Sequence, residues 1–181
     1  FEKCVGFKQH NPHHDKDVYM HTLAVIDNTP AILDVRLSAL FHDIAKPETF
    51  TMDDNSVGHF YGHDDVGALM TENIMRRLKF DYETISNVCL LVEQHMNRFP
   101  EFKDKTIKKL INRVGVNNID NLICLQTADI LGCAPPHDIK MMVDMCVAID
   151  RILNEKQPMS VKDLEIDGNN LIDLRYKKGK I

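Results

Sequence analysis

Along most of its length this chain sets apolar residues three and four positions apart, and sustained two-residue alternation is almost absent. That period dictates helices. It predicts them over 15–28, 33–45, 63–79, 82–98, 104–114, 118–132 and 137–156, with a short one at 169–174, each end good to about two to four residues. Pro30, Pro47, Pro100 and Pro135-Pro136 fall between these segments, and Gly132 stands where a helix C-cap glycine belongs. The longest connection, Pro47–Gly62, contains Asp53-Asp54-Asn55-Ser56, a turn-forming cluster that suits a small hairpin. The expected fold class is all-α, in one domain with a sizeable core.

Composition narrows the class further. The 181 residues are 44% apolar, which fits an ordinary globular domain. With 27 acidic against 22 basic residues the net charge is −5, the wrong balance for a protein that mainly coats duplex nucleic acid. No apolar run approaches the ~20 residues of a membrane helix. Phe1–Asp17 is polar and does not read as a secretory leader, and a start at Phe1 leads us to expect further residues upstream. The five cysteines form no C-x-x-C pair, and we expect reduced, mostly buried thiols in a cytoplasmic protein. The sequence changes character after residue 160. Residues 1–160 read as the domain, and 161–181 as an extension ending in Arg175, Lys177, Lys178 and Lys180.

The informative feature is where polar residues sit. "LSALFHDIAKP" (Leu37–Pro47) is apolar nearly all round, yet carries adjacent His42 and Asp43. His21 lines up with Val18 and Val25, His95 with Val88 and Val92, and Asp129 with Leu122 and Leu125, all on inward stripes. His63 opens a helix ahead of Gly67 and Ala68, small residues that let another helix approach. One inward histidine is most often a hydrogen-bonded core residue. Five helices that each turn a histidine or aspartate inward are another matter. A buried unpaired carboxylate costs several kcal/mol, and a divalent metal would neutralise two carboxylates while accepting four imidazoles. H-E-x-x-H and Glu-x-x-His are both absent, and Asp53-Asp54-Asn55 lacks calcium-loop spacing.

The ordered set His21 … His42-Asp43 … Asp129 resembles the HD-domain superfamily of metal-dependent phosphohydrolases, as do the blocks "HDIAKP", "GHFYGHDDVGA", "LLVEQH" and "LQTADILG". The resemblance implies a helical bundle in which His21, His42, Asp43 and Asp129 hold one metal. His63 and His95 resemble the two-metal subset, where Asp43 would bridge to a second ion. One or two divalent ions are expected, from iron, manganese, nickel, cobalt, zinc or magnesium, and they would activate water against a phosphoester of a nucleotide or related small molecule. "NPHHDKDVYMHT" and "MSVKDLEIDGNNLIDL" also resemble the HD portion of bacterial tRNA nucleotidyltransferases. Nothing here resembles their nucleotidyl-transfer domain, so polymerisation onto tRNA is not expected of these residues.

Around that centre, Lys46, one helical turn after Asp43, is expected to act with it in catalysis and to touch substrate. Its bland role is a helix-end lysine favoured by the dipole. Arg98, one turn past His95, could clamp phosphate or simply be a solvated helix-end arginine. His59 and His14, in polar loops, are candidates to protonate the leaving oxygen. His10, His13 and His137 read as surface, and Met141, Met142 and Met145 as core or pocket lining. Two rivals remain open. One is a non-catalytic module of a tRNA nucleotidyltransferase-like protein, binding RNA or serving structure, which the basic tail favours. The other is a di-iron oxygenase.

Overall fold

The computed structural model describes residues 1–10, 15–98 and 103–155, with residues 163 and 172. In chain order the described elements are a 3-10 turn (Glu2–Cys4), α1 (Val18–Asp27), α2 (Leu33–Phe41), α3 (Lys46–Thr49), β1 (Thr51–Met52), β2 (Gly58–His59), α4 (His63–Arg77), α5 (Tyr82–Gln94), α6 (Asp104–Val114), α7 (Val116–Gly132) and α8 (Lys140–Asn154). The strands form the small antiparallel hairpin that the turn cluster suggests, with Thr51 opposite His59 and Met52 opposite Gly58. The expected short helix at 169–174 and the basic tail lie outside the described residues, apart from Ile172.

Local chemistry sets the helix ends. Asp17 caps α1 by accepting from the Met20 amide at 2.6 Å, and Asp81 caps α5 by accepting from Thr84 at 2.9 Å. Gly62 precedes α4 at φ 73, and Gly115 parts α6 from α7 at φ 84, backbone angles that favour glycine at both joints.

Three expectations need correction. The second helix does not run to residue 45. It stops at Phe41, and residues 42–45 form turns before α3. Pro47 therefore lies in the first turn of α3, where its missing N–H costs nothing, rather than ending α2. Gly132 is not a left-handed cap. It is the last residue of α7, and a Cβ there would meet Val25 Cγ2 at 2.6 Å and His21 Cε1 at 3.4 Å, so its smallness lets α1 and α7 close on each other. Of the cysteines only Cys4 is buried. The other four are half-buried, and none is in a disulfide.

Two apolar clusters build the domain. Val25, Ile107, Leu122, Leu125, Met145 and Ile149 join α1, α6, α7 and α8. Phe41, Ile44, Met75, Ile85, Val88 and Val92 join α2, α4 and α5. Helices α1 and α5 each pack on both α2 and α7, so the two clusters meet along those contacts. The inward histidines and aspartates lie where they meet. Among the described residues no helix is long and apolar enough to cross a membrane.

Candidate metal centre

Six polar residues from five segments converge here: His21 from α1, His42 and Asp43 from the turn after α2, His63 from the start of α4, His95 just past the end of α5, and Asp129 from α7. All six are buried, at 7% exposure or less. Asp43 sits between two subsets. Its Oδ2 lies 3.1 Å from His42 Nε2 and 3.5 Å from His21 Nε2. Its Oδ1 lies 3.4 Å from His63 Nε2 and 4.0 Å from His95 Nε2. Asp129 Oδ1 completes the first subset, 3.0 Å from His21 Nε2 and 3.7 Å from His42 Nε2.

The far side of each ring fixes what the near side offers. His42 Nδ1 meets the Ala39 carbonyl at 2.8 Å, His63 Nδ1 that of Phe60 at 2.7 Å, His95 Nδ1 that of Val92 at 2.6 Å, and His21 Nδ1 that of Gly132 at 3.3 Å. A carbonyl only accepts, so each Nδ1 carries the proton and donates it. In the neutral ring Nε2 is then a lone pair. The lone pairs face one another, with His21 and His42 Nε2 atoms 3.4 Å apart and those of His63 and His95 3.3 Å apart. Asp43 Oδ2 is buried among three nitrogens, those of Lys46 at 2.7 Å, His42 at 3.1 Å and His21 at 3.5 Å. Ring nitrogens that face each other around a buried carboxylate, with their outer nitrogens tied to main-chain carbonyls, are what divalent metal ions require. Among the described residues three groups of side chains can hold a metal ion, His21–His42–Asp43, Asp43–His63–His95 and His21–Asp129–Cys133.

The electrostatics agree. Burial pushes the Asp43 carboxyl up, but His42 and Lys46 outweigh it and hold it well below the usual carboxylate range. Asp129 shows the same balance, with burial opposed by its bond to His21 and by His42 and Arg98. Burial, reinforced by His42 and His63, pushes His95 down to about 3. Burial also pulls His42 down, yet Asp43 and Asp129 leave it raised.

The profile of the HD domain family matches residues 18–132, more than half of the chain. The chain belongs to the HD-domain family. This HD domain is 34% identical over 132 residues to a CC-adding tRNA nucleotidyltransferase of Thermus thermophilus, covering 69% of this chain and 30% of that protein. It is 30% identical over 162 residues to an A-adding tRNA nucleotidyltransferase of Deinococcus radiodurans, covering 84% of this chain and 37% of that protein. A multifunctional CCA protein of Pasteurella multocida is 26% identical over 114 residues. The chain thus spans about a third of the length of these relatives, and it is similar to their HD portion.

Beside the centre the HD domain opens a pocket of about 380 Å³, lined by Asp43, Lys46, His63, Arg98, Asp129 and Cys133 on one side and by His59, Phe60, Tyr61 and Met96 towards its mouth. Lys46 is buried, not solvated. Its Nζ lies 2.7 Å from Asp43 Oδ2, donates to Gln9 Oε1 at 2.7 Å, and sits 5.2 Å from the Phe60 ring centre. Arg98 pairs with Asp129 Oδ2, leaving Oδ1 to the histidines. His59 reaches the rim, but its Nε2 faces Asp53 Oδ2 at 3.1 Å and its Nδ1 faces the Tyr61 hydroxyl at 3.4 Å. His14 and His13 lie outside the described residues. His10 and His137 are exposed, while Met142 and Met145 are core and neither lines the pocket. A larger groove of about 590 Å³ on the outer faces of α4 and α5 contains none of the six centre residues.

Sequence reading missed three contributors. Gln9 is buried in the segment before α1, with no periodic neighbours to reveal it. Gln126 is one turn before Asp129 on the same buried stripe, and its amide donates to the His95 carbonyl at 3.0 Å, fixing the chain just after α5. Cys133, four residues past Asp129, comes within ligand range of His21 and Asp129. The stripe spacing could have found the last two.

Proposed function

We propose that this HD domain is a metal-dependent phosphohydrolase that cleaves a phosphoester of a nucleotide or related small molecule. The observation that carries this reading is the convergence of four imidazole Nε2 atoms on the two oxygens of Asp43. His21, His42, Asp43 and Asp129 would hold one divalent ion, and Asp43, His63 and His95 a second, with Asp43 bridging. Bound there, the ions supply Lewis acidity towards a phosphoryl oxygen and towards water. The chain's own residues do the rest. Lys46, pinned by Gln9 and Asp43, directs positive charge into the pocket, and Arg98 adds a guanidinium beside it. The buried wall excludes bulk water and strengthens both charges. His59, with both ring nitrogens engaged, shapes the mouth rather than passing protons.

The test is a screen of 2′,3′-cyclic AMP, nucleoside monophosphates and dinucleoside polyphosphates, on protein reconstituted with manganese, iron or nickel. We expect metal-dependent turnover of at least one, absent in Asp43→Ala. No turnover of any with any of the three metals would overturn the reading.

A second reading rests on the relatives, two of which are named tRNA nucleotidyltransferases. In it the HD domain is a non-catalytic module that contacts RNA within a longer protein. Filter retention of tRNA with a clear salt slope, together with no turnover, would favour it.

A further inference from the structure

The mouth of the pocket holds an aromatic pair that the metal chemistry does not use. Tyr61 lines the pocket yet is 77% exposed. Its ring lies parallel to that of His59, the planes 7° apart and the centroids 5.3 Å apart. His59 is fixed from behind, and Tyr61 rests on it. Asp53, which holds His59, also accepts from the main-chain amides of Asn55 and Val57 at 2.9 Å each, so the β1–β2 turn braces the pair. Met96, 48% exposed, lines the same pocket from just beyond α5. The pocket therefore has two unlike ends. Lys46, Arg98 and the His/Asp centre make a charged end, and Tyr61, His59 and Met96 make a flat, half-apolar one.

We infer that Tyr61, backed by His59, is a stacking shelf for a planar ring carried by the phosphoester, and that it accepts any nucleobase without reading its edge. The inference deepens the phosphohydrolase reading and rests on it for the position of the phosphate. Stacking suits every base because each has a π-face, and an aromatic partner contributes sequence-tolerant affinity. Edge readout needs uncommitted donors and acceptors. Among the described residues at this end, the polar atoms of His59 and the Tyr61 hydroxyl already face Asp53 and each other. Discrimination should thus be strong between substrates with and without a ring, and weak among bases.

The experiment compares kcat/KM for the 2′-, 3′- and 5′-monophosphates of adenosine, guanosine, cytidine and uridine with that for ribose 5-phosphate, in manganese-loaded wild type, Tyr61→Ala and Tyr61→Phe. For whichever position is cleaved, we expect the four bases to fall within about tenfold of one another and ribose 5-phosphate to be poorer. Tyr61→Ala should lower kcat/KM for nucleotides by about five- to a hundredfold, mostly through KM, and leave ribose 5-phosphate unchanged. Tyr61→Phe should retain most of the wild-type value. Equal losses on both substrates, or a hundredfold preference for one base, would overturn the shelf. Saturation-transfer NMR with AMP separates this from failure of the hydrolase reading. If nothing is cleaved, contact at the base protons that Tyr61→Ala abolishes still supports the shelf, and absence of contact in wild type rejects it.

Discussion

His63 Nε2 and His95 Nε2 face each other across 3.3 Å while both rings give their Nδ1 protons to main-chain carbonyls one turn back. Two neutral imidazoles in that pose present lone pair to lone pair, which only a proton or a cation between them relieves. The same opposition recurs between His21 and His42 on the other side of Asp43. The pairing of these two oppositions across one carboxylate leads to the first prediction.

Metal content measured by plasma mass spectrometry should approach two divalent ions per chain in the wild type. Asp43→Ala should lose both, because each Asp43 oxygen serves a different pair. His63→Ala should keep one. A His63→Ala protein as empty as Asp43→Ala would show that the two positions are not separable, and a full complement in Asp43→Ala would remove Asp43 from the centre.

Metal-free protein should be most stable near pH 6.5. The native pKa of His95 is pushed from 6.5 to about 3, so as pH falls below 6.5 the unfolded chain takes up this proton and the folded one does not. That change costs stability at roughly 1.4 kcal/mol per pH unit for one proton. Asp43 and Asp129, both lowered, add losses in the same direction at more acid pH. His42 is raised, so its contribution is complete below 6.5 and is lost as pH rises through its native pKa. Urea midpoints in chelator at pH 8, 6.5, 5 and 4 should peak at the second value. A flat profile from 6.5 to 4 would contradict it.

Lys46→Met should destabilise the metal-free protein by about 3–5 kcal/mol, because it strands Asp43 as a buried charge without its ammonium partner. Saturating manganese should reduce that loss, since the ion replaces the missing positive charge. Thermal melts with and without metal decide the matter. A loss below about 1 kcal/mol in both conditions would mean that the ion pair contributes no more than an exposed one.

Gly132→Ala should destabilise the domain by about 1–3 kcal/mol, the usual cost of overpacking. The added methyl meets a β-branched Val25 methyl at 2.6 Å, and the Val25 main-chain nitrogen lies 3.3 Å away, so there is little room to yield. Pairing it with Val25→Ala should recover part of the loss. An unchanged denaturation midpoint for Gly132→Ala alone would show that α1 and α7 can separate freely there.

The sequence by itself determined the helical architecture and the family of polar residues at its centre. Stripes such as Val18–His21–Val25 and Leu122–Leu125–Asp129 repeat with the period of one helix face, and burial of a charge is costly enough for that pattern to be legible without coordinates. Only the tertiary structure decided how those residues divide. Which oxygen of Asp43 meets which histidine, the tie of Gln9 to Lys46, and the approach of Cys133 and Tyr61 to one pocket depend on segments far apart in sequence. It also decided that α2 ends at Phe41, releasing His42 and Asp43 into a turn. Periodicity reports which face of a helix is buried, but not where along the chain that helix gives way or what other helix it meets.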